Sequence, residues 1–355
     1  MMKQNYCVIM AGGIGSRFWP LSKDNYPKQF IDILGTGKSF IRSTFDRFLP
    51  VVPVENFLVV TNAAYKDLVL EHLPQIKPDQ VLCEPMRRNT APCIAYAAYH
   101  IMAKCKDANI VVTPADHLVT NGVEFQRIIS KAFDFVAQPE HNQALLTIGI
   151  RPSRPETGYG YIQVNEAEKA ELGIVAKVKS FTEKPNLEKA KQFLAEGNYF
   201  WNSGIFVWSM NGIKNAFDTY LPEIVAVFEQ GKDIFATDKE QDFINEKFAD
   251  CPNISIDYGV MEKSPNTYTI PADFGWSDIG TWGSLFTHAA KDNNNNAVAG
   301  KAVLVNTNDT IVNIQEGVEA VVQGLENYLV AYRDNSLLIC KLSDEQKIKE
   351  WITEL

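Results

Sequence analysis

Short apolar, β-branched runs alternate with helical periods along the first half of the chain: Tyr6–Met10, Phe57–Thr61, Asn109–Thr113 and Ala144–Ile148. Such runs, bounded by turn residues, read as strands buried on both faces. Between two of them Ala91, Ile94, Ala98, Ile101, Met102 and Cys105 recur at the 3.6-residue period. They predict a helix over about Thr90–Cys105, with Asn89 or Thr90 as N-cap and Pro92 in its first turn. The alternation predicts an α/β fold with a Rossmann-like, open, mixed but mostly parallel sheet flanked by helices. Ligands of such sheets bind beyond the carboxyl ends of the strands, which directs attention to the loops after Met10, Val81–Glu84 and Thr113.

From about Gly158 the pattern becomes mixed. Strands are expected at Tyr161–Val164, Ala176–Thr182 and Ser203–Trp208, and helices near Leu187–Ala195 and Asp238–Phe248. Lys291–Ala297 is a polar tract with nothing to bury, and reads as a linker between a domain over 1–290 and a second over 298–355. After it, apolar runs return at intervals of roughly nine residues, a spacing that predicts a small β-rich, β-helix-like module. An amphipathic helix over Asp344–Leu355 is expected to close the chain.

Composition narrows the partners. The 355 residues carry 34 Lys+Arg against 43 Asp+Glu, a formal charge of −9, which disfavours nucleic acid and anionic membrane surfaces. Any phosphate must be held by a local cluster. With 46% hydrophobic and 22% charged residues the chain supports a sizeable core. Cys7, Cys83, Cys93, Cys105, Cys251 and Cys340 form no C-x-x-C pair, which argues against a zinc ribbon or disulfide framework. Tyr6–Ala11 is too short for a signal-peptide core and no long apolar stretch occurs, so a cytoplasmic protein is expected.

The first strand runs into Ala11-Gly12-Gly13-Ile14-Gly15-Ser16-Arg17. Glycines expose backbone N–H groups to an anion, and the guanidinium of Arg17 adds a planar donor fork. A dinucleotide fingerprint starting at Gly13 fails at Phe18, and a P-loop ending in Gly37-Lys38-Ser39 fails at Asp32. Lys28, in Pro27-Lys28-Gln29-Phe30, offers a second cation to flank a triphosphate.

The stretch from Ala11 to Arg17, with Pro20-Leu21-Ser22 and Pro27–Phe30, resembles the signature of the sugar-nucleotide pyrophosphorylases, the mannose-1-phosphate guanylyltransferase branch in particular. The resemblance continues in family order through Glu84-Pro85-x-x-Arg88-Asn89-Thr90-Ala91-Pro92, Pro114-Ala115-Asp116-His117, Glu156-Thr157-Gly158-Tyr159-Gly160-Tyr161-Ile162 and Phe181-Thr182-Glu183-Lys184-Pro185. Trp201-Asn202-Ser203-Gly204-Ile205-Phe206, Ile256-Asp257-Tyr258 with Val260-Met261-Glu262-Lys263, and Gly275-Trp276-Ser277-Asp278-Ile279-Gly280 complete it.

This resemblance implies a fold of the nucleotide-diphospho-sugar transferase type. It implies Mg²⁺, with Mn²⁺ as the alternative, on Asp116 and Asp278. Nucleotide contacts fall on Ala11, Gly12, Gly13, Gly15, Arg17, Lys28 and Asp116, with Arg88, Asn89 and Thr90 around the guanine. Asn89 serves equally as a plain helix cap. Sugar-phosphate contacts fall on Gly158, Tyr159, Gly160, Glu183, Lys184, Asn202 and Asp278. The implied substrates are GTP and mannose 1-phosphate, joined by in-line displacement of pyrophosphate without a covalent intermediate, with Arg17, Lys28, Asp116, Lys184 and Asp278 as catalytic residues. Rival readings are the same chemistry on another sugar or base, and a non-catalytic sugar-nucleotide sensor; Phe18 disfavours a nicotinamide enzyme. A homodimer through the C-terminal module is expected. The chain ends before the isomerase domain of bifunctional relatives, so no phosphomannose isomerase activity is expected.

Overall fold

The computed structural model describes residues 4–165 and 173–355. Two compact units interleave along the chain: Met1–Gly12, Phe45–Ala115 and Val119–Trp276 form one, and Gly13–Thr44, Asp116–Leu118 and Ser277–Leu355 the other.

The apolar runs of the first unit become β1 Asn5–Met10, β2 Phe57–Asn62, β3 Val81–Glu84 and β4 Asn109–Pro114. After the short β5 Leu118–Val119 come β6 Leu145–Ile150, β7 Tyr161–Val164, β8 Ala176–Thr182, β9 Tyr199–Ser209 and β10 Thr267–Ala272, followed by the short β11 Trp276–Ser277. Nine of them form one sheet in the order β3-β2-β1-β4-β9-β6-β10-β8-β7. The expected helix spans Thr90–Lys104, and the Asn89 side chain caps it by accepting from the Thr90 N–H at 2.9 Å. Its Ile94, Tyr96 and Ile101 pack with Val8, Val60, Val112, Phe206 and Trp208 in a single apolar cluster. Burial of that cluster stabilises the parallel flank.

The sheet is mixed, and less parallel than its sequence pattern suggests. β1, β2, β3 and β4 pair in parallel, as do β6 and β10, whereas β9 runs antiparallel to β4 and β6, and β8 antiparallel to β10 and β7. Nor is this half of the sheet open. β9 is 11 residues long, and its Trp201 partners both Ile150 of β6 and Tyr161 of β7, so β9-β6-β10-β8-β7 returns on itself. The return is made at an irregularity in β6 between Thr147 and Gly149. A Cβ on Gly149 would lie 2.7 Å from Thr269 Oγ1 and 3.0 Å from Phe200 Cβ, so only glycine fits the curl. Strand periodicity carries neither direction nor partner, because both are decided by contacts distant in sequence.

In the second unit Phe18, Ile31, Phe40, Ile279 and Trp282 share a core with Leu329, Leu338, Cys340 and Ile348. Its strands are β12 Ala297–Ala299, β13 Lys301–Val305, β14 Ile311–Ile314, β15 Glu319–Gln323, β16 Tyr328–Arg333 and β17 Ser336–Lys341. β12, β14 and β16 pair in parallel, as do β13 and β15; the partners Ile311↔Leu329 and Lys301↔Glu319 both lie eighteen residues apart. β17 closes the layer antiparallel to β16. The tract 291–297 is more than a solvated linker, because Asn296 is 1% exposed. Its amide donates to Asp292 Oδ2 and the Thr307 carbonyl, and its Oδ1 accepts from the Thr310 N–H. The expected terminal helix is also broken up, into 3₁₀ turns over Leu342–Lys347 and Ile352–Glu354 around one α-turn, Ile348–Trp351. Of its apolar residues only Ile348 is fully buried, too little packing to sustain a continuous short helix.

Among the described residues no helix is long and apolar enough to cross a membrane. Because Asn296 satisfies two buried backbone groups, the Thr307 carbonyl and the Thr310 N–H, Asn296→Ala is expected to lower stability by about 1–3 kcal/mol in urea unfolding. The same change at exposed Asn293 is expected to stay within about 0.5 kcal/mol.

Candidate active site

The glycine-rich loop is shaped by what it must pass. Gly15 adopts φ +70°, and a Cβ there would collide with the Lys28 side chain. Gln29 Nε2 donates to the Gly13 carbonyl at 3.0 Å, the Lys28 N–H donates to the Ile14 carbonyl at 3.2 Å, and the Ser22 hydroxyl donates to Gly15 O. The 3₁₀ turn Lys28–Phe30 buries all three of its side chains. Arg17, at the far end of the loop, is exposed.

Lys28 is not a solvated cation. Its side chain is 3% exposed, and Nζ lies 2.9 Å from Asp116 Oδ2, 3.1 Å from the Asp116 carbonyl and 2.8 Å from the Asp278 carbonyl. An ammonium has three donors, and three protein acceptors face this one. The rings of Phe18 and Phe40 stand 5.6 and 5.0 Å from the same nitrogen. Burial alone would raise the Asp116 carboxyl, but Lys28, His117 and hydrogen bonds outweigh it and hold the group below the usual carboxylate range. Asp278 Oδ1 accepts from the Gly280 N–H at 3.1 Å, with Ile279 between them in a left-handed conformation at φ 40°. Thus Asp116 and Asp278, 162 positions apart in sequence, are gathered on one nitrogen. Among the described residues no group of three or more His, Cys, Asp or Glu could hold a metal ion. A cation on these two aspartates would complete its shell with ligand and water oxygens, a donor set that suits Mg²⁺.

In the first unit β3 ends at Glu84, which is 6% exposed and whose Oε1 has no partner among the described residues. Burial pushes its carboxyl up to about 8, against a hydrogen bond with Cys93. The base-reading candidates that follow are already engaged. Arg88 Nη2 donates to the Ala249 carbonyl at 2.7 Å, Asn89 caps the helix, and Thr90 Oγ1 accepts from the Ile256 N–H at 2.9 Å. Sequence reasoning gave Glu84 no role of its own; the available signal was an acid ending an otherwise apolar strand.

A second polar cluster gathers the glycine-tyrosine turn, Glu183, Lys184 and Asn202. The Asn202 N–H donates to the Gly160 carbonyl at 2.8 Å and the Lys184 N–H to the Tyr159 carbonyl at 3.2 Å. The Tyr159 ring stands edge-on to Trp201 and Trp276, at 5.2 and 5.3 Å. Gly158 N–H donates to Glu156 Oε1 at 3.1 Å. Lys184 Nζ pairs with Glu183 Oε1 at 3.0 Å, yet its side chain stays 61% exposed. Although partial burial lowers the Lys184 ammonium, Glu183 and Asp257 raise it further, leaving it above the ordinary lysine value. Asp257, quoted in a motif but given no role, belongs to this cluster: its Oδ1 accepts from Asn202 Nδ2 at 2.8 Å.

Residues 6–295 match the family model for nucleotidyl transferases. Over 348 residues the chain is 35% identical to a mannose-1-phosphate guanylyltransferase of Klebsiella pneumoniae, covering 97% of this chain and 72% of that one. It is likewise 35% identical to the xanthan biosynthesis protein XanB of Xanthomonas campestris pv. campestris over 357 residues, covering 98% and 72%. The crystal structure described as mannose-1-phosphate geranyltransferase from Thermus thermophilus matches with a TM-score of 0.85 at 27% identity, covering 99% of each chain.

The raised Glu84 carboxyl makes a prediction about pH. The folded state holds its proton more tightly than the unfolded chain, so stability is complete below about pH 4.5 and falls as pH rises through about 8. Glu84→Gln removes this slope. In urea melts it is expected to gain on the wild type by up to a few kcal/mol at about pH 8 and by little at about pH 5.

Proposed function

Because the chain belongs to the nucleotidyl transferase family, we propose that it transfers GMP from GTP to α-D-mannose 1-phosphate, forming GDP-mannose and pyrophosphate. The observation that carries this reading is the pair of aspartates gathered on buried Lys28 beside a glycine loop ending in exposed Arg17. Similarity to mannose-1-phosphate guanylyltransferases over nearly the whole chain supports the choice of substrates.

The attacking group is a phosphate oxygen, already ionised near neutral pH, so no side-chain nucleophile is required. The protein's task is to orient two ligands and to stabilise charge on the leaving pyrophosphate. The N–H groups of Gly12, Gly13 and Gly15 and the guanidinium of Arg17 meet the triphosphate. Lys28 acts mainly through its partners, keeping Asp116 ionised and fixing the Asp278 carbonyl. Asp116 and Asp278 would hold Mg²⁺, which when bound would supply charge neutralisation of the phosphates. Lys184 binds the phosphate of the sugar 1-phosphate and Glu183 accepts from sugar hydroxyls, with Gly158, Tyr159, Gly160 and Asn202 shaping the subsite. Guanine offers two adjacent donors, N1–H and the 2-amino group; the Glu84 carboxyl, protonated below about pH 8 in the free protein, offers them two acceptors once ionised, one of them unpartnered among the described residues. Arg88, Asn89 and Thr90 hold the loop that presents it.

The parallel flank β3-β2-β1-β4 supports a Rossmann-like reading of the sheet, and the eighteen-residue offset of the parallel ladders supports a β-helix-like module. The match over 6–295 supports a catalytic region over 1–290, with 298–355 appended. Exposed Val303, Val321, Leu337 and Ile339 on that module support a homodimer contact there. Free cysteine thiols fit a reducing, cytoplasmic setting.

Purified protein with Mg²⁺, mannose 1-phosphate and GTP, ATP, UTP or dTTP in turn is expected to release pyrophosphate with GTP alone. Silence with all four sends the assignment back to another sugar phosphate or to a sensor. Arg17→Ala is expected to lower kcat by about a hundredfold or more, with folding unchanged. Asp116→Asn is expected to abolish the response to Mg²⁺ titration; an unaltered titration removes Asp116 as a metal ligand.

A further inference from the structure

Asp257 sits where the sugar-binding groups converge. It opens a five-residue π-helical turn, Asp257–Met261, a geometry frequent at functional sites. Its carboxyl is held from one side by Asn202, whose Nδ2 donates to Oδ1 at 2.8 Å. Asn202 cannot turn over, because its own Oδ1 accepts from Thr147 Oγ1 at 2.9 Å and from the Gly204 N–H at 3.3 Å. The backbone of Asn202 is tied in turn to Gly160. This chain of bonds orients a partly exposed carboxyl beside Glu183 and Lys184, the pair expected to hold the sugar and its phosphate.

Among the described residues no cation is paired directly with Asp257, and its carboxyl lies beside another acid, Glu183. Burial, then the Glu183 charge, pushes it up to about 7, while Asn202 and Lys184 pull the other way. The titratable groups that face it are Glu183 and Lys184. Tyr258 acts on Lys184, and Glu262 accepts from the Glu183 N–H at 3.2 Å. An acid kept next to an acid in this way is costly to the free protein, and two adjacent acceptors suit a ligand rich in hydroxyl donors.

We propose that Asp257 is a specificity-determining residue of the sugar subsite, accepting a hydrogen bond from a ring hydroxyl of the hexose 1-phosphate adjacent to the hydroxyl taken by Glu183. The proposal rests on the sugar-phosphate assignment above and extends it to a residue outside that set. The ionised carboxylate is the acceptor, so hexose phosphate binds more weakly as pH falls through about 7.

Asp257→Asn keeps the shape and the Asn202 bond while removing the charge. With GTP and mannose 1-phosphate, KM for the sugar phosphate is expected to rise about tenfold or more, with KM for GTP and the melting temperature unchanged. Between about pH 8 and pH 6 the wild-type KM for mannose 1-phosphate is expected to rise more steeply than that of the variant. The second ionisation of the sugar phosphate, near about pH 6, is common to both proteins. Among the 2-, 3- and 4-deoxy analogues of mannose 1-phosphate, one is expected to bind both proteins alike, which identifies the hydroxyl. Equal KM values and parallel pH profiles in wild type and variant overturn the role of Asp257 while leaving the proposed reaction standing. A matching rise in KM for GTP with a lowered melting temperature assigns Asp257 to structure and overturns it too. Failure of the wild type to bind mannose 1-phosphate in calorimetric titration overturns the sugar assignment and this inference together.

Discussion

A buried ammonium organises the second compact unit. Removing a lysine from water costs several kcal/mol unless acceptors surround it, and Lys28 finds them 88 and 250 positions away along the chain. That requirement fixes the neighbourhood. Gly15 must lack a side chain because Lys28 passes beneath it, and the carbonyls of Gly13 and Ile14 are tied to the Lys28–Gln29 backbone and amide. Asp116 remains ionised because this cation, together with His117 and hydrogen bonds, outweighs its desolvation. The residue that reads as a phosphate ligand in isolation is therefore the post to which two aspartate-bearing loops are fastened.

The first unit solves a different problem, the presentation of polar groups at the end of an apolar sheet. Its return through β9 and β7 depends on the absence of a side chain at Gly149, and the same irregularity brings Thr147 to Asn202. From Asn202 the bonds run to Gly160 and to Asp257, so one asparagine aligns the glycine-tyrosine turn with the π-helical turn. The helix after Asn89 is tied to the same turn, since Thr90 Oγ1 and the Ala91 N–H bond to Ile256 and Ile254. Groups assigned to base and to sugar thus share a backbone segment. Buried polar networks of this kind rigidify a site only when each member is satisfied, and Glu84 Oε1, unsatisfied among the described residues, stands out for that reason.

Periodicity alone located β1, β2, β4 and the helix Thr90–Lys104 to within a residue or two, because each buries a face against near neighbours and each ends at a turn or cap that its own residues specify. The motifs named the chemistry through their resemblance, in family order, to the sugar-nucleotide pyrophosphorylases. Other features lay beyond the sequence. The antiparallel direction of β9 and the return of the sheet depend on which strand lies beside which; Asn296 is buried only because Asp292, Thr307 and Thr310 come round to meet it. Whether Lys28 faces solvent or protein, and whether Asp257 stands beside Glu183, are likewise matters of long-range placement. Composition and local pattern determine what each segment can bury and which groups it offers. Tertiary structure decides which charges meet out of water, where the energy of a carboxylate or ammonium depends on its neighbours far more than on its place in the chain.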